Sequence, residues 1–246
     1  MKDTTQHLDA LARLVTDLQS IFGERLASLS SYDGTGGADG LTGGTSAAPG
    51  ERVHTLAVVA SLNRQDLFGC AGFAKAWAKR GLATPLFMTP AELARSLDAF
   101  PLELGEMIAS HNVVFGADPF TGLVVEADDL RRACEIQARS LLLHLREAYV
   151  EAAAHPKQVA RIIQSSSRPL RVLLAAMARL EGIDLADADA RTRHVSDSIG
   201  MSVSVVRQVI ASDGQAGLSA IDAQELYPAY VEAIERLVQF VDGWQA

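Results

Sequence analysis

Cysteine is scarce in this chain, with only Cys70 and Cys134 among 246 residues. The two are far apart, form no CxxC and have no histidine at zinc spacing, so neither a disulfide framework nor a zinc site is expected. Two buried thiols in a reduced compartment are the expectation instead. An excess of positive charge is also missing. The chain has 22 Lys and Arg against 30 Asp and Glu, for a net charge of −8. Bulk electrostatics therefore argue against nucleic acid as a partner, although a local basic patch can sit inside an acidic total. No segment approaches the ~20 apolar residues needed to span a bilayer. The opening stretch MKDTTQHLDALARL carries Asp3 and Asp9 and lacks the apolar centre of a signal peptide. A soluble cytoplasmic protein with no membrane partner is the expectation. The remaining composition, 48% hydrophobic and 21% charged, is that of a globular protein long enough for one large domain or two modest ones.

Periodicity then divides the chain. Leu8, Leu11, Leu14, Val15, Leu18 and Phe22 recur at helical spacing and predict an amphipathic helix ending near Gly23. Alternation over 25–32 predicts a strand, and the valine-rich run His54 to Ala60 predicts a buried one. Between them, 33–50 collapses to Gly, Ala, Ser, Thr and Pro, a composition that buries too little apolar surface to order itself. A helix over 66–80 follows, with Leu67, Phe73, Ala74 and Trp77 inward and Gly81 as its stop. Further strands are predicted at 85–88 and 112–115. Thr89-Pro90-Ala91-Glu92 has the N-cap, first-position proline and third-position glutamate of a helix start, and another helix is predicted over 102–110. Beyond Glu126 only helical patterns remain: 127–154, 157–180 with a bend at Pro169, 195–211 and 224–244. The shift predicts an α/β (α+β) domain with a small mixed sheet over 1–125 and an all-α antiparallel bundle over 126–246.

Several segments resemble one family. Pro85-Leu86-Phe87-Met88-Thr89-Pro90-Ala91-Glu92-Leu93, Ser96 to Glu103 and Val114-Phe115-Gly116-Ala117-Asp118-Pro119 are similar to the middle of bacterial nucleotidyltransferase-domain proteins. The helix carrying Leu130, Arg131, Cys134, Glu135, Arg139, Leu142, Leu145, Arg146 and Tyr149 resembles theirs too. The likeness spans roughly residues 20 to 180. It implies a minimal nucleotidyltransferase-like fold followed by a helical domain. It also implies a nucleotide site at a Tyr-Gly-Ser turn after the first strand, with a magnesium-binding Asp-x-Asp pair opening the second. Here the corresponding positions are Tyr32, Asp33 and Gly34, then Val53 and Thr55. Slipping the register by one residue gives His54 and Leu56, and slipping by two gives Glu51 and Val53, so no register restores two carboxylates.

Nucleotidyl transfer needs magnesium to neutralise phosphate charge and orient nucleophile and leaving group, and magnesium takes hard oxygen ligands. Valine offers none and threonine only a neutral hydroxyl. The expectation is therefore a degenerate nucleotidyltransferase-like pseudoenzyme without a cofactor, acting through a protein partner or as a homo-oligomer, with weak nucleotide binding possible in principle. The alternative is an active magnesium-dependent transferase moving a nucleoside monophosphate onto a small molecule or protein, with Asp33, Asp39 and Glu51 as substitute ligands. The glycine-rich stretch could cradle phosphate through backbone amides, but it has no GxxxxGK[ST] pattern and no Lys or Arg before Arg52. A third possibility is a HEPN-type ribonuclease or toxin–antitoxin component, from the Arg139-x4-His144 spacing. Arg161, Arg168 and Arg171 could form a basic face, though solvated helix charges are the default. His54, His111 and His194 form no evident ligand set, and Trp77 and Trp244 read as packing anchors.

Overall fold

A computed structural model describes residues 2–32, 52–152, 155–183, 187–213 and 218–244, with residues 2–6 as backbone only. The chain divides into two compact units, Met1–Val125 and Glu126–Ala246. The architecture is α+β, a small mixed four-stranded sheet together with many helices.

The first unit begins with α1 (Lys2–Phe22), which buries Leu11, Leu14, Leu18 and Phe22. Leu8 belongs to the same sequence stripe but is 63% exposed. The sheet consists of β1 (Leu26–Tyr32), β2 (His54–Val59), β3 (Leu86–Met88) and β4 (His111–Gly116), in the order β3-β2-β1-β4. β1 runs antiparallel to both β2 and β4, while β2 and β3 are parallel. Three helices complete the unit: α2 (Arg64–Lys79), α3 (Pro90–Arg95) and α4 (Pro101–Ser110).

Local chemistry sets these boundaries. Asn63 Oδ1 accepts the Gln65 and Asp66 amides, and Asp66 returns the bond to the Asn63 amide, so α2 starts on a closed capping box. Thr89 and Glu92 form the same reciprocal cap on α3. Leu67, predicted inward, is instead half-exposed beside the 83% exposed Phe68, since α2 turns its Cys70–Trp77 side to the core.

Period-two alternation splits the sheet's apolar residues between two layers. Leu29, Ala57 and Val59 face the layer built with α1 and α2, around Leu14, Leu18 and the fully buried Trp77. Tyr32, Leu56, Val58 and Met88 face the opposite layer, with Leu93, Leu104 and Met107 from α3 and α4. Trp77 Nε1 donates to Asp17 Oδ2 at 3.0 Å, which satisfies the one polar atom of that ring. Asp66 accepts both Arg25 Nη1 (2.8 Å) and Nη2 (2.7 Å), tying the start of α2 to the short 3-10 turn Gly23–Arg25 between α1 and β1. Gly116 of β4 pairs with Ser28 of β1, with φ +75° and only 2.0 Å between a hypothetical Cβ and the Ala27 carbonyl oxygen, so no other residue fits.

The second unit is helical: α5 (Ala127–Glu151), α6 (Pro156–Leu180), α7 (Ala188–Ile199), α8 (Val203–Ala211) and α9 (Ala220–Gly243). α5, α6 and α9 pack on one another. The ion pairs Arg139–Asp242 and Arg146–Glu235, each 2.6 Å, step in opposite directions along α5 and α9 and so fix an antiparallel pair. Tyr230 is fully buried and donates to Ser166 Oγ at 2.9 Å, joining α9 to α6. Pro169 lies within α6, which remains one element. The single helix expected over 195–211 is two. Gly200 takes φ +74° and stops α7, and α8 starts after Ser202.

Candidate functional site

Strand register determines what can meet where β1 ends and β2 begins. Tyr32, the last residue of β1, pairs with His54 on β2 and with His111 on β4. Directly opposed residues of an antiparallel pair share a face, so His54, Tyr32 and His111 stand in one row. The Tyr32 and His54 rings are 5.8 Å apart between centroids. His111 Nδ1 donates to the Met107 carbonyl at 3.0 Å, with Ile108 O at 3.2 Å, and its Nε2 faces Asp118 Oδ1 at 3.1 Å. Asp118 Oδ1 also accepts the Phe120 amide at 2.8 Å, and the Phe120 ring lies 4.7 Å from the imidazole. Both His111 nitrogens are thus occupied by acceptors. The ring clips the turn after β4 onto the end of α4.

The two histidines read as unrelated in the sequence are therefore neighbours of the same tyrosine. They are still one strand apart, roughly 10 Å at two inter-strand spacings, too far to share one ion. Among the described residues no group of three His, Cys, Asp or Glu is placed to hold a metal.

The residues at the expected carboxylate positions lie in the wrong environment for ligation. Val53 makes a parallel bridge with Leu82; its amide donates to Gly81 O at 2.8 Å and its carbonyl accepts the Ala83 amide at 2.9 Å. Its side chain packs on the α1–α2 layer. Thr55 is two residues on, pairs with Ser31 and is 1% exposed. By alternation it shares the face of Ala57, and its hydroxyl has no hydrogen-bond partner among the described residues. This donor set does not fit magnesium: one side chain has no oxygen, and the other's sole oxygen is sealed beneath two helices. Asp33, Gly34, Asp39 and Glu51 lie outside the described residues. Of the five positions implied by the resemblance, the structure brings Tyr32, Val53 and Thr55 to one end of the β1–β2 pair, with Tyr32 on the face opposite the other two.

Other reactive groups are held inert. Burial pushes the Cys70 thiol up to about 11 and the Cys134 thiol up to about 12, so neither supplies a thiolate nucleophile at neutral pH. Desolvation likewise raises Glu103 above the usual carboxylate range. Arg139 is bound to Glu135 and Asp242, and His144 Nδ1 contacts Ser140 Oγ at 3.2 Å. Five positions along a helix rotate the two side chains about 140° apart, so they do not converge on one phosphate. Arg171, one of the three arginines considered for a basic face, is paired with Asp213.

No family model and no curated protein matches this chain.

Proposed function

We propose that the N-terminal unit is nucleotidyltransferase-like in fold and works by binding, to a partner protein or to a second copy of this chain, without magnesium-dependent transfer. Support for the frame comes from the small mixed sheet, in which β1 and β2 are antiparallel neighbours and β3 lies parallel to β2. The single observation that carries the loss of chemistry is the burial of Thr55 on the α1–α2 face, two residues from a valine that has no ligand atom. A metal site there needs two solvent-facing carboxylates on one strand face, whereas Val53 is partly buried against the α1–α2 layer and Thr55 is fully buried.

Isothermal titration of the full chain with ATP and the other nucleoside triphosphates, with and without magnesium, tests this reading. The expected result is no magnesium-dependent heat. Micromolar binding that requires magnesium would instead favour an active transferase.

A further inference from the structure

His111 is both the first residue of β4 and the C-terminal cap of α4. A helix C-terminus leaves its last carbonyls without intrahelical partners, and the His111 ring turns back to take two of them. Nδ1 lies 3.0 Å from the Met107 oxygen and 3.2 Å from the Ile108 oxygen. A carbonyl oxygen cannot donate, so Nδ1 carries a proton and donates it here. On the other side of the ring, Nε2 lies 3.1 Å from Asp118 Oδ1. Were Nε2 bare, its lone pair would meet a carboxylate, acceptor against acceptor. One more proton must stand between them. Imidazole ordinarily holds a proton more tightly than a carboxylate does, so that proton belongs to the ring. The ring is then an imidazolium with both N–H groups used, and the negative end of the α4 dipole favours a cation at this place.

The same contacts hold the turn that follows. Asp118 Oδ1 also accepts the Phe120 amide at 2.8 Å, and the Leu123 amide donates to the Phe120 carbonyl at 2.9 Å. The Phe120 ring is 4% exposed, belongs to the α3–α4 layer and lies 4.7 Å from the imidazole. Residues 117–121 lie between Gly116 and Gly122, both at positive φ, a conformation glycine adopts without steric cost. The other titratable side chains on the elements around the ring are Tyr32, opposite His111 on β1, and His54, opposite Tyr32 on β2. On α4 they are Glu103 and Glu106, on the turn before the two carbonyls. His111 is 14% exposed and Asp118 41%, so the pair reaches solvent through the carboxylate and can exchange its proton there.

We propose that His111 and Asp118 form a proton-operated latch, which holds the turn after β4 on the end of α4 and seats Phe120 while both ring nitrogens are protonated. Closed, the imidazolium donates Nδ1–H to the Met107 carbonyl and Nε2–H to Asp118. On opening, the Nε2 proton passes to solvent. The neutral ring keeps its Nδ1 proton, its bare Nε2 is repelled by the carboxylate, and the turn with Phe120 is released. The latch lies within the first unit and stands whether or not that unit is nucleotidyltransferase-like.

The test is amide hydrogen exchange of Phe120 in the full chain between about pH 5 and 8, the range in which imidazole ordinarily titrates. Exchange is expressed as protection relative to the intrinsic rate at each pH, which reads local opening. Protection should fall as pH rises, by up to about ten-fold per pH unit, the slope of one released proton. In Asp118→Asn, Oδ1 still accepts the Phe120 amide and the Nδ2 amide donates to a neutral Nε2, so protection should hold across the range. Nitrogen-15 spectra of the wild-type imidazole need no variant, and both His111 nitrogens should carry protons where Phe120 is most protected. Three outcomes would overturn the latch. They are protection independent of pH in the wild type, the same slope in Asp118→Asn, or a bare His111 nitrogen at the pH of greatest protection. Circular dichroism at both ends of the range separates release of the turn from unfolding, and loss of helix in step with exchange would also overturn the proposal.

Discussion

Thr55 offers a two-sided perturbation. Its hydroxyl is buried and has no hydrogen-bond partner among the described residues, so the folded state bears the desolvation of that group without a compensating bond. Leaving a buried polar group unpaired costs about 1–3 kcal/mol. Thr55→Val keeps the shape and β-branching and removes the penalty, so it should stabilise the first unit by ~1 kcal/mol, or about 4 °C in Tm for a unit of this size. Thr55→Asp restores the carboxylate that metal chemistry would need, but in the α1–α2 layer. An unpaired buried charge costs several kcal/mol, a large part of the roughly 5–15 kcal/mol that holds a domain together. Thermal unfolding by circular dichroism, with and without magnesium, reads both. The expected order is Val above wild type and Asp far below it, with magnesium moving none of them. An aspartate variant that melts like wild type and gains stability from magnesium would refute the buried-face assignment.

Two further predictions concern charge and thiols. The Arg25 hydrogen bonds hold the Asp66 carboxyl below its ordinary pKa, and the Asn63 amide adds to this. A depressed folded pKa contributes stability that is complete above the unfolded value of about 4 and is lost as pH falls through it toward the folded value. Urea midpoints of wild type and Asp66→Asn should therefore differ at pH 7 and draw together as pH falls below the unfolded carboxyl value of about 4; a gap that is constant with pH would contradict the pairing. With thiols pushed up to about 11 and 12, Cys70 and Cys134 should resist a disulfide reagent at pH 8 in the native chain and both react after denaturation. Rapid native labelling of either would show that its burial is not maintained.

The elements most legible in the sequence were those marked by local chemistry. Thr89, Pro90 and Glu92 announce α3 because a capping box is written in four consecutive residues, and the valines of 54–60 announce a buried strand. The glycine break at residue 200 was hidden because Val195, Ile199, Val206 and Val209 keep helical spacing straight through the turn, so periodicity alone fuses α7 and α8. Gly200 followed by Ser202 was the available signal. Leu8 and Leu67 obey their helices' apolar period yet face solvent, because period describes a face but not how far its partner extends. The row His54–Tyr32–His111 could not be read at all, since it exists only through the register of three strands distant in sequence. Positions 53 and 55 were visibly without carboxylates. That they point into a packed layer required knowing which sheet face α1 and α2 cover.

The central claim, binding without metal-dependent transfer, is tested most directly by pyrophosphate release. The full chain is incubated with each nucleoside triphosphate and magnesium, in the presence of candidate protein and small-molecule acceptors and of the chain itself. The account predicts release no faster than in the protein-free control. Magnesium-dependent release in proportion to the amount of protein, with a nucleoside monophosphate appearing on an acceptor, would contradict it.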